Sequence, residues 1–166
     1  MSKAAGAAVG AILAGVLCAC APVNQDRAQN AYAAGRYDEA ANDVTAALAH
    51  DPGNLQLKHL AAQIFTQRGV QYDKGGQLLA ASNDFHNAIG YDPYYAPAYD
   101  YLGMLSFQQH NWEDAANFGD KAAGLEGKPD PDYVKSARKE ILKVRSGGFQ
   151  PYVVPQQQPP PPPRPY

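Results

Sequence analysis

A rhythm of small and bulky residues recurs along the middle of this 166-residue chain and leaves few folds open to it. Ala40, Val44, Ala47 and Pro52 return as Ala81, Phe85, Ala88 and Pro93 at a constant offset of 41 residues. A third copy, Tyr99-Leu102-Gly103 followed by Ala115 and Ala122, trails Phe65-Arg68-Gly69, Ala81 and Ala88 by 34. One such unit cannot bury an apolar face alone, whereas stacked copies can. The small residues let two helices of a unit approach closely, and the large ones fill the space between units. Asp51-Pro52-Gly53 and Asp92-Pro93 stop the second helices, because proline cannot continue the hydrogen-bond ladder and drives the preceding residue from helical angles. Asp38-Glu39 and Glu113-Asp114 open second helices, where the positive end of the dipole favours acids.

The excess of 41 over 34 is close to two helical turns, so an insertion of that size keeps the apolar face in phase. The spacing predicts one first helix over Leu55 to Lys74, with Leu57, Leu60, Ala61, Ile64 and Arg68 along one side. Its two extra turns either project past their neighbours or pack on the N-terminal end of the array. Past the third copy, Asp130-Pro131-Asp132 caps a final helix from about Tyr133 to Arg145, with Val134, Ala137, Ile141 and Val144 on one stripe. The other side carries Lys135, Arg138, Lys139, Lys143 and Arg145 against Glu140. That basic stripe is either a contact for anionic lipid or cell wall, or the solvated face of a capping helix.

Over roughly residues 22–128 the pattern resembles the tetratricopeptide repeat, a 34-residue helix pair. The slots are filled by Ala28, Gly35, Tyr37, Ala40, Ala47 and Pro52 in the first unit. In the second they are Phe65, Gly69, Tyr72, Gly76, Ala81, Phe85, Ala88 and Pro93, and in the third Tyr99, Leu102, Gly103, Trp112, Ala115 and Ala122. Gly119 at an aromatic slot and the missing terminal proline of the third unit depart from the pattern. The resemblance implies an all-α fold, a right-handed superhelix of about three helix pairs plus a C-terminal capping helix. It also implies a concave groove lined by positions 2, 5, 9 and 12 of the first helices. Those positions hold Gln25, Gln29 and Tyr32; Gln63, Thr66, Val70 and Asp73; and Asp100, Met104 and Phe107, with Tyr101 adjacent. Some members of the family grip a free C-terminal carboxylate with Lys, Asn and Arg there; none of those residue types is present here, so that mode is rejected. Amide and aromatic groups with a methionine suit an extended or helical segment with apolar anchors. The alternative is a shallow groove that packs partly on itself.

Residues 1–19 read as a targeting segment. Lys3 is their only charge, and Ala4 to Leu17 is an uncharged run of 14 residues, about 21 Å as a helix against a hydrocarbon core of about 30 Å. That length fits a signal h-region better than a span. Leu17-Cys18-Ala19-Cys20 resembles the bacterial lipobox, which implies Cys20 as the acylated first mature residue and membrane attachment through its lipid. Ordinary secretory cleavage after Ala21, which would leave Pro22 first, and an uncleaved anchor are the competing readings. If the sorting rule of lipoproteins applies, Ala21 after the cysteine implies the outer membrane. From residue 146 the chain turns to Gly147-Gly148 and a Gln/Pro tract holding eight of the 14 prolines. Such a tract is expected to be extended, either as a ligand for an aromatic groove or as a spacer.

A net charge of −2 argues against a nucleic-acid partner working through bulk charge. Two cysteines at 18 and 20 and four histidines, His50, His59, His86 and His110, at unrelated phases give no disulfide framework and no metal-ligand spacing. No phosphate loop, nucleophile–base pair or cofactor motif is present in the sequence, so no enzyme, metal or cofactor is expected. The expected domains are a signal peptide (1–19), a repeat domain with its cap (20–145) and a tail (146–166). The favoured function is a lipid-anchored adaptor of the bacterial envelope, facing the periplasm and binding a protein or peptide segment. The resemblance extends to small repeat lipoproteins that assist pilus or secretion-pore assembly. The alternatives are a structural component that reaches the cell wall through the basic helix and tail, and an accessory subunit of an envelope enzyme complex.

Overall fold

The structure, a computed structural model, describes residues 20–147, with side chains from Gln25 onward. The expected signal peptide and nearly all of the tail lie outside the described residues. Seven helices follow one another: α1 (Cys20–Ala33), α2 (Tyr37–His50), α3 (Leu55–Lys74), α4 (Leu78–Tyr91), α5 (Ala96–Gln108), α6 (Trp112–Glu126) and α7 (Asp132–Ser146). Each odd helix packs most extensively on the even helix that follows it, giving three pairs and a final helix.

The same turn closes α1, α3 and α5. Gly35 (φ 72°), Gly76 (φ 73°) and His110 (φ 61°) occupy equivalent positions. In each case the next amide reaches back to a first-helix carbonyl: Arg36 N to Ala31 O, Gln77 N to Tyr72 O and Asn111 N to Ser106 O, all 2.9 Å. Glycine takes a left-handed φ without penalty, and histidine is among the side chains that tolerate it, at a cost of order 1 kcal/mol. The second helices α2 and α4 end at His50 and Tyr91, immediately before the Asp-Pro breakers. Asn54 opens α3: its Oδ1 accepts from the amides of Gln56 (3.0 Å) and Leu57 (3.1 Å).

The long third helix has the bounds that the phase argument gives. Its two extra turns do not project. Leu57, Leu60 and Ala61 are buried in one cluster with Val44, Leu48 and Ala98, so the extension is core between the first two units. Two further clusters continue the array: Ala81, Phe85, Leu102 and Leu105, then Ala115, Ala116, Val134 and Ala137. The final helix departs from expectation at both ends. Pro131 occupies its N-cap with no side-chain hydrogen bond; Asp130 turns to Arg138 and Asp132 to Lys135, 2.9 Å. Val134 and Ala137 are fully buried, but Val144, on the expected apolar stripe, is 73 % exposed, because the end of α7 stands off from the start of α6 across an open cleft.

Close approach is built from missing side chains. A Cβ on Gly69 would lie 2.6 Å from the ring of Phe85, and one on Gly119 would overlap Val134. Gly119→Ala therefore loses about 1–3 kcal/mol in urea unfolding through overpacking of α7 on α6. Combined with Val134→Ala, the loss is smaller than the sum of the two single losses by about 1 kcal/mol. Strict additivity would show that the two residues do not share this space.

Candidate protein-binding surface

The arrangement of the helices defines a curved layer. Among the described residues α1 touches α3, α3 touches α5 and α5 touches α7, while no comparable contact joins α2 to α4 or α4 to α6. Odd helices approach more closely than even ones, whose backbones stay apart although the rings of His86 on α4 and Phe118 on α6 meet at 6.2 Å, and this bends the stack with the odd helices on the concave side. The expected groove residues thus lie on the correct helices, but they do not all face outward.

Gln29 is exposed; Tyr32, Gln63, Val70, Asp100, Tyr101, Met104 and Phe107 are half-buried. Thr66 is a correction, because it is 0 % exposed and cannot touch a partner. The reason is visible one unit later. Asp100, at the same position of its unit, accepts a hydrogen bond of 2.9 Å from the hydroxyl of Tyr133 on α7. The fifth position faces the next odd helix, so it belongs to the seam between units and not to the groove. Several other members of the set are partly spent on internal packing. Tyr101 stacks on Phe85 at 5.6 Å, Phe107 meets Trp112 at 5.1 Å and Tyr133 at 6.3 Å, and Gln63 bonds His59 at 3.2 Å. Gln29 and Met104 are left as the more available contacts, while Tyr32 and Val70 present their outer edges beyond the core clusters they pack on.

Tyrosines make one end of this surface apolar and wet at once. Tyr32 lies 5.9 Å from Tyr37, and Tyr95 packs edge-on against His59 at 5.4 Å. Burial, followed by neighbouring tyrosines, raises the hydroxyl pKa of Tyr32 and Tyr95 above the usual value. Such groups stay neutral donors across the physiological range, which suits them to peptide carbonyls.

The sequence reading missed a charge pair that orders the first two units. Arg68 on α3 forks onto Asp84 on α4, Nε to Oδ2 at 2.7 Å and Nη2 to Oδ1 at 2.8 Å. Asp84 is 4 % exposed, and the guanidinium also lies 4.9 Å over the ring of Phe65. The hydrogen bond to Asp84 raises the Arg68 pKa further. Arg27 and Asp43 repeat the pair in the first unit at 3.4 Å, and in the third unit the same positions hold Leu102 and Phe118. The signal was present, since Arg27/Asp43 and Arg68/Asp84 are each 16 residues apart and 41 apart from one another. The basic stripe of α7 is largely matched by acids: Lys135 to Asp132, Arg138 to Asp120 and Asp130, Lys143 to Glu140, and Arg145 to Glu113. Among the described residues no group of three or more His, Cys, Asp and Glu side chains is placed to hold a metal ion, and no helix is long and apolar enough to cross a membrane.

Three helix pairs with small residues at the crossings, a repeated left-handed turn and a terminal helix define a tetratricopeptide-type fold. No family model matches the chain. A curated relative, the DnaJ homolog subfamily C member 7 homolog of Dictyostelium discoideum, is 28 % identical over 122 residues; these make up 65 % of this chain and 21 % of that protein, so the chain spans about a fifth of its length. The Sgt2 TPR domain from Aspergillus fumigatus is similar at 23 % identity and a TM-score of 0.49, covering 76 % of this chain and 82 % of that one. The Arabidopsis OM64 TPR domain is similar at 21 % identity and a TM-score of 0.47, covering 74 % and 94 % respectively.

Two outcomes follow from these placements. Thr66 Oγ1 is buried without a hydrogen-bond partner, so Thr66→Val keeps or raises stability, by up to about 1 kcal/mol, and leaves any ligand of the groove bound as before. Tyr133 is held neutral, first by burial and then by its bond to Asp100, with its pKa raised. The unfolded chain ionises this group more readily, so its share of stability is full below about pH 10 and is lost as pH rises beyond. Urea midpoints across that range fall more steeply for the native chain than for Tyr133→Phe; parallel curves would remove Tyr133 as the cause.

Proposed function

We propose that the chain is an adaptor that holds a segment of another protein along the concave side of its odd helices, tethered to a bacterial membrane by lipid on Cys20. The observation that supports this reading is the closer approach of the odd helices, which carry Gln29, Tyr32, Val70 and Met104, none of them fully buried. Amides and tyrosine hydroxyls there bond a peptide backbone, and Val70 and Met104 supply apolar contact for its side chains. The lipobox-like Leu17-Cys18-Ala19-Cys20 supports the anchor, and Ala21 supports the outer membrane with the repeats facing the periplasm. Several acyl chains on one cysteine hold stably, because each buried CH₂ contributes about 0.8 kcal/mol. Anchoring keeps the groove at high local concentration near its partner, which suits assembly of an envelope complex such as a pilus or secretion pore.

The reading that relies on the basic helix loses support, because four of its five cations already have acidic partners. A photo-crosslinking residue at Gln29 or Met104 in living cells captures one envelope protein, and the same residue at Asn87 on α4 does not. Met104→Glu lowers the yield about tenfold, as loss of an apolar anchor should. Equal capture from both faces would overturn the groove. Cys20→Ala abolishes palmitate labelling; retained labelling would overturn the anchor.

A further inference from the structure

The antiparallel helices α6 and α7 pack closely along Ala115, Ala116, Val134 and Ala137, then part company where α6 begins and α7 ends. The gap is a cleft of about 260 Å³, with Trp112, Ile141 and Val144 as its apolar wall and His110, Glu113 and Arg145 on its rim. It is smaller than the roughly 300–1,000 Å³ of small-molecule sites, which favours an aromatic side chain with its neighbour over a cofactor. Val144, on the apolar wall, is 73 % exposed and so leaves surface for an occupant to cover. His110 holds a left-handed φ of 61° where the other two turns have glycine, and its ring lies 5.0 Å from Trp112, edge-on.

The chain itself supplies an occupant at this place. Val144 and Arg145 line the cleft, and Gly147 ends α7 two residues later. Next in sequence come Gly148 and Phe149-Gln150-Pro151-Tyr152-Val153-Val154, the most apolar stretch of the C-terminal 21 residues and unlike the Gln/Pro run that follows. Two adjacent glycines allow a sharp reversal. At about 3.3–3.6 Å per residue, the chain allows Phe149 to reach up to roughly 7 Å and Tyr152 up to roughly 18 Å from Gly147, which itself follows the cleft-lining Arg145 by two residues.

We propose that the segment Phe149–Val154 of this same chain docks in the cleft between the start of α6 and the end of α7, seating Phe149 or Tyr152 on Trp112. The tether makes this possible for a weak contact. A linker of a few residues gives an effective concentration in the millimolar range, so a pairing with a dissociation constant of about 1 mM, negligible between separate molecules, is well populated within one. Offset or edge-on aromatic pairing adds to the area buried from Ile141 and Val144.

The chain has one tryptophan, so emission excited at wavelengths that its 11 tyrosines do not absorb reports on this cleft alone. In the full chain, Phe149→Ser with Tyr152→Ser shifts Trp112 emission to the red and roughly doubles its acrylamide quenching constant, with helical circular dichroism unchanged. A synthetic peptide of residues 148–155 restores the native emission of that variant only near millimolar concentration. The native signal is independent of protein concentration. Emission and quenching identical to the native chain would overturn the proposal, since nothing would then cover Trp112. A signal that falls on dilution would also overturn it, by placing the segment in the cleft of a second copy.

Discussion

How near two helices can come is the constraint on which the other features of this molecule rest. At three crossings one helix lacks a side chain where its neighbour has a large one: Gly69 beneath Phe85, Gly103 beneath Tyr133, and Gly119 beneath both Val134 and Tyr133. Ala40, Ala81 and Ala115, each fully buried at the same point of its unit, do the same work one methyl larger. Dispersion and burial reward this fit only at contact distance, so a single methyl in the wrong place is felt. Curvature comes with it: odd helices approach one another more closely than even ones, so the stack has an inner and an outer side before any surface residue is considered.

The polar contacts depend on that spacing. Arg68 reaches both oxygens of Asp84 with good fork geometry because Gly69 and Ala81, each next to or near one of the pair, bring α3 and α4 together. In the first unit Arg27 meets Asp43 less closely, at 3.4 Å, and one carboxylate oxygen of Asp43 is buried without a partner. The bidentate pair is the stronger of the two, since an unpaired buried oxygen keeps its desolvation cost.

Helices and their bounds were legible in the sequence because periodicity and breakers are local. The 41-residue offset contained the whole of α3, and the Asp-Pro steps contained the ends of α2 and α4. The groove was legible only as a set of helix faces. Thr66 satisfies the same position rule as Asp100, yet what covers each is decided by the next odd helix, which no local pattern reports. His110 was opaque for a similar reason: its φ of 61° follows from standing where Gly35 and Gly76 stand, and a histidine gives no sign of it. At α7 the apolar stripe was read correctly as a helical period, but Val144 stands across an open cleft from the start of α6, so a periodic residue remained in solvent.

The replacement of the Arg–Asp pair by Leu102 and Phe118 in the third unit says what kind of device the pair is. Both positions change together, and both new side chains join the cluster with Phe85 and Leu105. Half of such a change would leave a buried charge alone, a loss of about 3–5 kcal/mol, whereas the whole change is close to neutral. A charged pair at the crossing is thus not a requirement of the helix pair itself. What it adds in the first two units is direction. A fork on a carboxylate accepts one register of α3 on α4, and Asp38 of the preceding unit, 3.4 Å from Arg68, extends that register across the unit boundary. The third unit links forward by other means, since α7 is held there by the interlock of Tyr133 and Val134 with two glycines, by the Tyr133–Asp100 hydrogen bond and by Arg138 on Asp120. The array uses a charged pair within each of the first two units, and shape reinforced by polar contacts where the stack ends.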